Sequence, residues 1–430
     1  MSKEKRLFYG YIILAAVWII YLCGMGFTTY GAPAINSVMA GDLNFNSSVL
    51  GVAVALCTLM QGVAGPITGQ WISRKGIRAP YLVGTALILF ATISLGTFVQ
   101  NETAFVLIYG VIMGLGMGLG GILTAQSTVN NWFNKKKSFA MSLVLSAGAI
   151  GGFIAPQIIE EIISARNWKY GWLFLAGTCT LALVLILTLL KNSPADIGQY
   201  PDGEKQDSCK PQKPVPTLSF LDVCRDEVIY AVVINYVTRT ALYYAFTGHI
   251  ILYLTDSGVE YAKAVYVLSI LSVTSLVGRL LIGVIPERIL KPSIALGLGS
   301  IMLAGGMFVI NAMVSVNVIY FGAIIFGFGF GISHVALPLV VSRLYGAENF
   351  ALINGSVTPV NYIIGALGPL AVGVFAEQAG GYGLPFQILS ILALAGGVVV
   401  LLIRKPNMEK IYRRKKTASE TVQESSSRPC

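Results

Sequence analysis

An arginine interrupts an apolar run in the stretch SLVGRLLIGVIPER, residues 275 to 288. A charge near the centre of a membrane span costs on the order of 3 kcal/mol, so Arg279 needs a compensating interaction. Its guanidinium is a planar fork that binds a carboxylate through two hydrogen bonds and keeps its proton at physiological pH. We therefore predict that Arg279 binds an anionic substrate; the alternative is that its side chain extends to the nearby lipid headgroups.

A second arginine, Arg239, lies inside an earlier apolar run. Asn235 and Tyr243 are four residues on either side of it, and this spacing places all three on one helix face. Such a polar stripe suits a water-filled cavity, so we assign the three residues to the substrate site together with Ser275, one turn before Arg279. The alternative role of Arg239 is structural, in contacts with acidic side chains or backbone carbonyls.

Binding of an anion with charge compensation needs a group that takes up a proton. Asp256 and His249, near the end of the run that contains Arg239, are the predicted proton-coupling residues, because a partly desolvated carboxylate or an imidazole titrates near neutrality. His334 shares a helix face with Phe330, and both are predicted to contact substrate. The alternatives are an exposed loop aspartate and histidines that only pack between helices.

Four further residues are predicted to line the site because of the helix faces they occupy. Thr358 and Asn361 flank Pro359 one turn apart, while Thr28 and Leu145 come from the first half of the chain. The alternative for each of the four is ordinary packing. We find no nucleophile, base and orienting group at usable spacing, no phosphate loop and no metal cluster, so we predict neither an enzyme nor a cofactor.

The composition indicates a polytopic membrane protein. Of the 430 residues, 55% are hydrophobic and 12% are charged, and the mean hydropathy is +0.72, which is unlike any soluble domain of this length. Runs long enough to cross hydrocarbon recur between short polar loops. They predict an all-α protein with twelve spans, at residues 8–30, 49–71, 81–100, 105–130, 138–163, 171–191, 227–254, 262–285, 293–313, 316–342, 350–377 and 384–403.

The 30 lysine and arginine residues are distributed unevenly over these spans. Only Arg166, Lys169 and Lys263 fall on one side, whereas nearly all the others fall on the side that holds both termini. By the positive-inside rule, this asymmetry predicts cytoplasmic termini and a protein of the cell inner membrane. Because the net charge of +10 is spread over loops, it does not indicate a nucleic-acid-binding face.

The spans divide into two groups of six around a proline-rich segment. We predict an N-terminal bundle at residues 1–191, a flexible cytoplasmic linker at 192–226, a C-terminal bundle at 227–404 and a disordered tail at 405–430. The two bundles repeat each other at one near-constant offset, since GLGMG matches GFGFG, IGGFIAP matches IIGALGP, and GQWISR matches GVIPER. An internal duplication of this kind is typical of secondary transporters.

These stretches resemble sequences of the major facilitator superfamily. GQWISRKGIR resembles its loop motif G-x-x-x-D-R-x-G-R, with Ser73 where an aspartate is usual, and the second copy retains an acid at Glu287. Within the superfamily the chain is most similar to the monocarboxylate transporters and the oxalate/formate exchangers. Four stretches carry that similarity: RLFYGYIILAAVW, NWFNKKKSFAMSLVLSAGAIGG, HIILYLTDSG and the Gly-Arg pair that ends in Arg279.

The resemblance implies a carrier of small monocarboxylates, such as lactate or pyruvate, that are moved with a proton by alternating access. It also implies that Arg279 binds the substrate and that Asp256 matches a family acid. The sequence departs from both groups. Residues 352–376 lack the lysine of the oxalate exchanger, which favours one carboxylate over two, although Arg239 could restore a second positive charge and keeps the alternative of a carboxylate exchanger open. Ser275 replaces the aspartate that animal transporters place one turn before the arginine, so proton coupling would have to use another group. We predict a monomer whose partners are the acid, a proton and lipid; a receptor or a channel is the competing class.

Overall fold

The structure is a computed structural model, and it describes residues 8–203, 227–312 and 315–402. Most of the predicted linker, residues 204–226, and the whole predicted tail, 405–430, lie outside these residues. The described part of the chain is all-helical and contains twelve long helices. They are α1 (Gly10–Asp42), α2 (Ser47–Lys75), α3 (Arg78–Thr97), α4 (Glu102–Trp132), α5 (Lys137–Ala165), α6 (Trp168–Thr188), α7 (Glu227–Asp256), α8 (Tyr261–Val284), α9 (Pro292–Asn311), α10 (Val316–Tyr345), α11 (Ala347–Ala379) and α12 (Gly383–Leu401).

Each predicted span corresponds to one of these helices. Eleven of the helices are long and apolar enough to cross a membrane. The exception is α7, in which Asn235, Arg239 and His249 lower the mean hydropathy of a 30-residue helix. The chain is therefore a multi-pass membrane protein.

The first helix continues well past the predicted end at residue 30. It includes a wider π-type turn at Leu22–Gly26 and continues through Pro33 to Asp42. The predicted end of this span at residue 30 is therefore 12 residues too early. Proline is tolerated inside membrane helices because neighbouring helices and local adjustments of the turn satisfy the freed backbone groups.

Glycines on α4 and α10 allow close helix packing in the same way in both parts of the chain. A Cβ atom on Gly114 or Gly118 would collide with α2, and one on Gly327 or Gly331 would collide with α8. The middle glycine of each row, Gly116 or Gly329, instead meets the backbone of α3 or α9. Small residues at helical spacing therefore let three backbones approach one another in each group.

The most extensive contacts between the first six helices and the last six are made by two helix pairs, α2 with α11 and α5 with α8. Along α2, a Cβ atom on Gly65 would lie 2.8 Å from Cβ of Thr358, and one on Gly69 would lie 2.5 Å from the Ala351 carbonyl oxygen. These contacts lie toward the end of the bundle that carries Lys75, Lys137 and Arg343, which we call the basic end. The first six helices and the last six are therefore closely packed against each other at the basic end.

The first residues of the predicted linker are ordered and lie against the loop between α4 and α5. Short helical turns form at Pro194–Ile197 and Pro201–Gly203. The Asp202 carboxylate accepts backbone N–H groups of Asn134 at 3.0 Å and Lys135 at 2.6 Å, just before α5 begins. A carboxylate is favoured at a helix N-terminus because the free N–H groups there carry partial positive charge. Residues 194–203 of the predicted linker thus form short helical turns that contact the loop before α5.

Candidate functional site

Two arginines are buried in the interior of the bundle. Arg239 lies near the middle of α7 and is 2% exposed, and Arg279 lies in the last third of α8 and is 9% exposed. Neither forms an ion pair with an acidic side chain of the described residues, unlike Lys263 with Glu260 and Arg343 with Glu287. Buried positive charge without a counter-ion is unfavourable, so this arrangement calls for an anion.

One phenylalanine on α10 lies between the two arginines. The guanidinium carbon of Arg239 and that of Arg279 are each 5.8 Å from the centroid of the Phe330 ring. Tyr243 stacks on the same ring with centroids 3.7 Å apart and planes inclined by 4°, and His334 lies 5.4 Å away. We call these five residues, Arg239, Tyr243, Arg279, Phe330 and His334, the arginine cluster.

Helix spacing and one glycine contact position the arginine cluster. Arg239 and Tyr243 are one turn apart on α7, and Phe330 and His334 are one turn apart on α10, so each pair shares a helix face. Because Gly331 has no side chain, the α10 backbone approaches the Ser275 carbonyl and the Arg279 amide of α8. This approach brings the face with Phe330 within reach of Arg279.

The hydrogen bonds of the two arginines leave donors available. Arg279 donates from Nη1 to the Leu145 carbonyl oxygen of α5 at 2.9 Å, whereas its buried Nε has no partner. The buried Nε of Arg239 has no partner either, and its guanidinium lies 5.6 Å from the Tyr236 ring. Leu145 therefore belongs to the site through its backbone carbonyl, and Arg279 links α8 to α5.

Acidic residues are absent from the middle of the described helices. Every aspartate and glutamate of the described residues lies near a helix end or in a loop, including Glu160 and Glu161 of α5 and Glu377 of α11. The arginine cluster thus carries two positive charges that no described side chain neutralises. No group of three or more His, Cys, Asp or Glu able to hold a metal occurs in this part of the chain.

Several other predicted site residues make contacts away from the arginine cluster. The Asn235 amide donates to Ser300 Oγ at 2.9 Å, so it ties α7 to α9. Thr28 lies beside Cys179 of α6. Ser275 is buried where α8 meets Gly331.

The two predicted residues of α11 face other helices. Thr358 donates to the Asn354 carbonyl of its own helix at 2.8 Å and packs against Gly65 of α2. Asn361 lies beside Tyr244 of α7. The described contacts do not bring either residue to the arginine cluster.

The two predicted proton-coupling residues lie toward the opposite end of α7. Asp256 is the last residue of the helix and is exposed. His249 is half-buried; its Nε2 lies 2.7 Å from the Pro369 carbonyl oxygen of α11, and its ring stacks on Tyr382 with centroids 5.0 Å apart. Arg239 and Asp256 are 17 positions apart on one helix, which corresponds to about 25 Å of axial rise.

Polar contacts between the two groups of helices concentrate at the basic end. Lys137 of α5 donates to Asn130 Oδ1 and to Ser342 Oγ of α10, both at 2.9 Å. Ser138 donates to Glu287 at 2.7 Å, and Asn354 of α11 donates to Gln126 of α4 at 2.9 Å. The acid retained at Glu287 thus bonds across the helix groups, whereas the Ser73 hydroxyl, at the corresponding place in the first copy, donates to Gln70 of its own helix.

A cavity of about 380 Å³ lies toward the opposite end of the bundle. It is lined by α1 near Asn36, α2 near Val54 and α11 near Gly365. Its walls carry small and apolar side chains with a few neutral polar groups, and no charged residue lines it. The described helices are therefore closely packed at the basic end and enclose space toward the other end.

Sequence reasoning missed residues that the structure adds to the site. Tyr236, one turn before Arg239, forms the second aromatic contact of that guanidinium. Lys137, inside the NKKKS segment, bridges the helix groups rather than serving only as a loop charge. The spacing could have identified Tyr236: aromatic residues stand three positions before and four positions after Arg239, and both spacings place a residue on the same helix face as the arginine.

Comparisons with known proteins give one consistent family. The family model described as Major Facilitator Superfamily matches residues 17–369. The chain is 23% identical over 390 residues to the uncharacterized transporter YycB of Bacillus subtilis strain 168, covering 90% of this chain and 91% of that protein. It is 24% identical over 434 residues to monocarboxylate transporter 4 of Rattus norvegicus, covering 96% and 88% of the two chains. The expected resemblance is confirmed.

The fold also matches a solved transporter. A crystal structure of the E. coli fucose:proton symporter FucP superimposes with a TM-score of 0.70 at 14% identity, covering 91% of this chain and 98% of that one. At this identity the likeness concerns the fold alone. The family and these similar proteins are transporters, which confirms the prediction that the chain is not an enzyme.

Proposed function

The chain belongs to the Major Facilitator Superfamily, and on this basis we propose that it is a secondary active transporter that carries small monocarboxylates together with protons. One observation carries the proposal: Arg239 and Arg279 are buried around Phe330 without an acidic partner in the described residues. A small carboxylate would supply the missing negative charge, and Arg279 can bind it through two parallel hydrogen bonds. The similarity to monocarboxylate transporters favours substrates such as lactate and pyruvate.

In this proposal each member of the arginine cluster has a separate role. Arg279 binds the carboxylate, and Arg239 contributes a second positive charge to the same anion. The stacked Phe330 and Tyr243 rings provide an apolar surface for the short carbon skeleton of the substrate. Ser275, His334, Thr358 and Asn361 complete the lining as the cavity changes shape, with Thr28, Leu145 and Asn235 behind them.

Arg279 also gives a physical route from binding to conformational change. Its Nη1 bond to the Leu145 carbonyl links α8 to α5, one of the two helix pairs that make the most extensive contacts between the helix groups. A carboxylate that takes the N–H group of Nη1 now bonded to Leu145 would replace this bond. Substrate binding would thereby loosen the α5–α8 contact and favour alternating access.

We further propose that residues 1–191 and 227–404 form two pseudo-symmetric six-helix halves that rock about the arginine cluster. The repeated glycine contacts of α4 and α10 and the paired contacts of α2 with α11 and of α5 with α8 support this arrangement. In the proposed topology the basic end, the linker 192–226, the tail 405–430 and both termini are cytoplasmic. The protein would act as a monomer in the cell inner membrane.

Two residues from the sequence prediction remain candidates for the proton site. Asp256 is exposed at the end of α7, where it would pick up a proton from outside, and His249 lies one to two turns deeper. In a symport cycle the proton would enter with the anion, so that the loaded carrier bears the same charge as the empty one. Equal charge means that the membrane potential does not oppose the return of the carrier.

Carboxylate exchange is the second candidate function, and Arg239 is the observation that favours it. Two unpaired guanidiniums around one ring suit an anion with two carboxylates, such as oxalate. An exchanger would bring such a dianion in and return a monocarboxylate such as formate. It would work without a proton gradient but would need a counter-anion.

Uptake into proteoliposomes distinguishes the two functions. Labelled lactate, pyruvate, formate and oxalate would be tested with an inward proton gradient and, separately, with unlabelled acid inside. We expect lactate or pyruvate to accumulate with the proton gradient alone. Uptake that occurs only with an internal counter-anion would replace symport by exchange, and ion conductance at channel rates would contradict the carrier proposal.

A further inference from the structure

His334 is the one side chain of the arginine cluster whose ordinary pKa lies near neutrality. An imidazole has an ordinary pKa of about 6.5, whereas guanidinium and phenol groups titrate far above physiological pH. The ring of His334 lies 5.4 Å from that of Phe330, which both guanidiniums also face. A proton bound at His334 would therefore sit beside the bound anion.

The His334 ring has a nitrogen that no described group occupies. Its Nδ1 is buried and has no hydrogen-bond partner among the described residues. By contrast, Nε2 of His249 is already within hydrogen-bond distance of the Pro369 carbonyl. Exposed Asp256 is far along α7 from Arg239. Of the three candidates, His334 is thus the one that is both next to the guanidiniums and free to accept a proton.

The charged and titratable groups around His334 are few. Arg279 of α8 and Arg239 of α7 both act on it electrostatically. Helix α9 carries no ionisable side chain between residues 292 and 311, and α5 carries none between 138 and 159. The remaining neighbouring helices contribute phenol groups, namely Tyr236, Tyr243 and Tyr244 of α7, Tyr362 of α11, and Tyr21 and Tyr30 of α1.

We propose that His334 is the proton-binding residue and that it takes up its proton only when a carboxylate is bound at Arg279. This inference rests on the proposed symport function. In the empty site an imidazolium would be a third positive charge with no acid near it. Repulsion from the two guanidiniums therefore disfavours protonation of the ring. A bound carboxylate cancels one of those charges and lies beside the ring, and a proton from water then adds to the ring nitrogen that lacks one.

The charge balance of this step explains the coupling. The empty site holds the two guanidiniums and a neutral imidazole. The loaded site holds the same guanidiniums, an imidazolium and a carboxylate, so its net charge is unchanged. The anion alone would leave the site with one positive charge fewer, and the proton alone would leave it with one more; neither state equals the empty carrier. Release reverses the step, because loss of the anion restores the repulsion that expels the proton.

The test compares two driving forces in proteoliposomes that contain the full chain. Labelled lactate uptake is measured with a proton gradient, and separately with an inside-positive potassium diffusion potential at equal pH. The unaltered protein should respond to the proton gradient and not to the potential. His334→Gln should lose the response to the proton gradient and gain a response to the potential, because the anion then moves with its charge uncompensated.

Two further variants, Asp256→Asn and His249→Gln, are tested in the same assay. If either of them converts uptake from proton-driven to potential-driven while His334→Gln does not, the assignment of His334 is wrong. If the unaltered protein shows no proton-driven uptake at all, the proposed symport function fails instead. The two failures are thereby distinguishable.

A binding measurement covers the case in which His334→Gln no longer transports. In weakly buffered detergent solution with a pH indicator, lactate binding to the unaltered protein should withdraw about one proton per bound anion from the medium. At lactate concentrations raised to saturate the weakened site, His334→Gln and His334→Asn should bind lactate without this alkalinisation. Proton uptake that persists in both variants would overturn the proposal.

Discussion

Two guanidinium groups that face one phenyl ring dominate the chemistry of this protein at the scale of single residues. Arg239 and Arg279 are nearly fully buried, and the described acids all lie near helix ends or in loops. A hydrogen bond to a charged group contributes about 1.5–3 kcal/mol, so each guanidinium can account for a large part of the affinity for a small anion. The predictions at this scale concern the planar shape of the Arg279 guanidinium and the aromatic ring of Phe330.

Lysine at position 279 keeps the positive charge but loses the planar fork. We expect Arg279→Lys to weaken carboxylate uptake by about 10- to 100-fold, which corresponds to the loss of one charge-assisted bond. Initial uptake rates of labelled lactate over a concentration range measure the effect. Arg239→Lys is the matched comparison, and we expect it to weaken uptake less, because Arg239 has no bond across the helix groups. Equal uptake by Arg279→Lys and the parent would contradict the carboxylate-binding role.

Phe330 is predicted to matter through its aromatic face. Phe330→Leu retains an apolar side chain but removes the ring next to both guanidiniums, and a cation–π contact contributes about 0.5–2 kcal/mol. We expect a several-fold rise in KM for lactate. The control is Phe326→Leu, which removes a ring that stacks on Phe246 away from the arginines. If Phe326→Leu raised the KM for lactate more than Phe330→Leu, the role of Phe330 would be in helix packing rather than in substrate binding.

At the scale of helices, the α8–α10 contact positions the arginine cluster. A Cβ atom on Gly331 would collide with the Ser275 carbonyl oxygen, next to Arg279. Gly327 makes a comparable contact with α8 one turn earlier. The glycine row therefore sets the distance between Phe330 and Arg279, in addition to permitting close packing.

Gly331→Ala should separate α8 from α10 and displace Phe330 from Arg279. Overpacking of this kind costs about 1–3 kcal/mol, so we expect a lower Tm in detergent and strongly reduced uptake. Gly305→Ala in α9 is the control, because nothing lies within 4 Å of its Cβ position. There the added methyl group should raise helix stability by about 0.5–1 kcal/mol and leave uptake intact. Normal uptake by Gly331→Ala would contradict the role of Gly331 in setting the distance between Phe330 and Arg279.

At the scale of the whole molecule, polar contacts join the two helix groups at the basic end, whereas a cavity lies at the other end. Ser138 to Glu287 and Asn354 to Gln126 both join the two helix groups. The neutral Asn354–Gln126 bond contributes about 0.5–1.5 kcal/mol, and the bond to the Glu287 carboxylate contributes about 1.5–3 kcal/mol. Together they bias the carrier toward the state in which the basic end is closed.

The double variant Ser138→Ala with Asn354→Ala should shift the population toward the opposite state. A single cysteine introduced at Ser37, in the cavity wall, reports the change in a background without the native cysteines. We expect slower labelling by an impermeant maleimide, by several-fold. Ser356→Ala is the control, since its hydroxyl bonds only to the Leu352 carbonyl of its own helix. An unchanged labelling rate in the double variant would mean that these two bonds do not stabilise the state in which the basic end is closed.

Much of the fold was predictable from the sequence, because the membrane imposes a simple rule. Spans must be long, apolar and helical, and so twelve helices, a transporter family and the two buried arginines could be read from composition and motifs. The ends of spans were less predictable. Pro33 did not end α1, since neighbouring helices satisfy the backbone that a proline disrupts.

Only the tertiary structure decided which residues meet around the arginines. Helix periodicity paired Arg239 with Tyr243 and Phe330 with His334, but it could not show that the two pairs stack on each other. Nor could it show that Asn235 turns to Ser300 or that Arg279 bonds to the Leu145 carbonyl. The physical reason is that one sequence determines the faces of its own helices, whereas the rotation and depth at which those faces meet depend on backbone contacts between distant segments, such as Gly331 against Ser275.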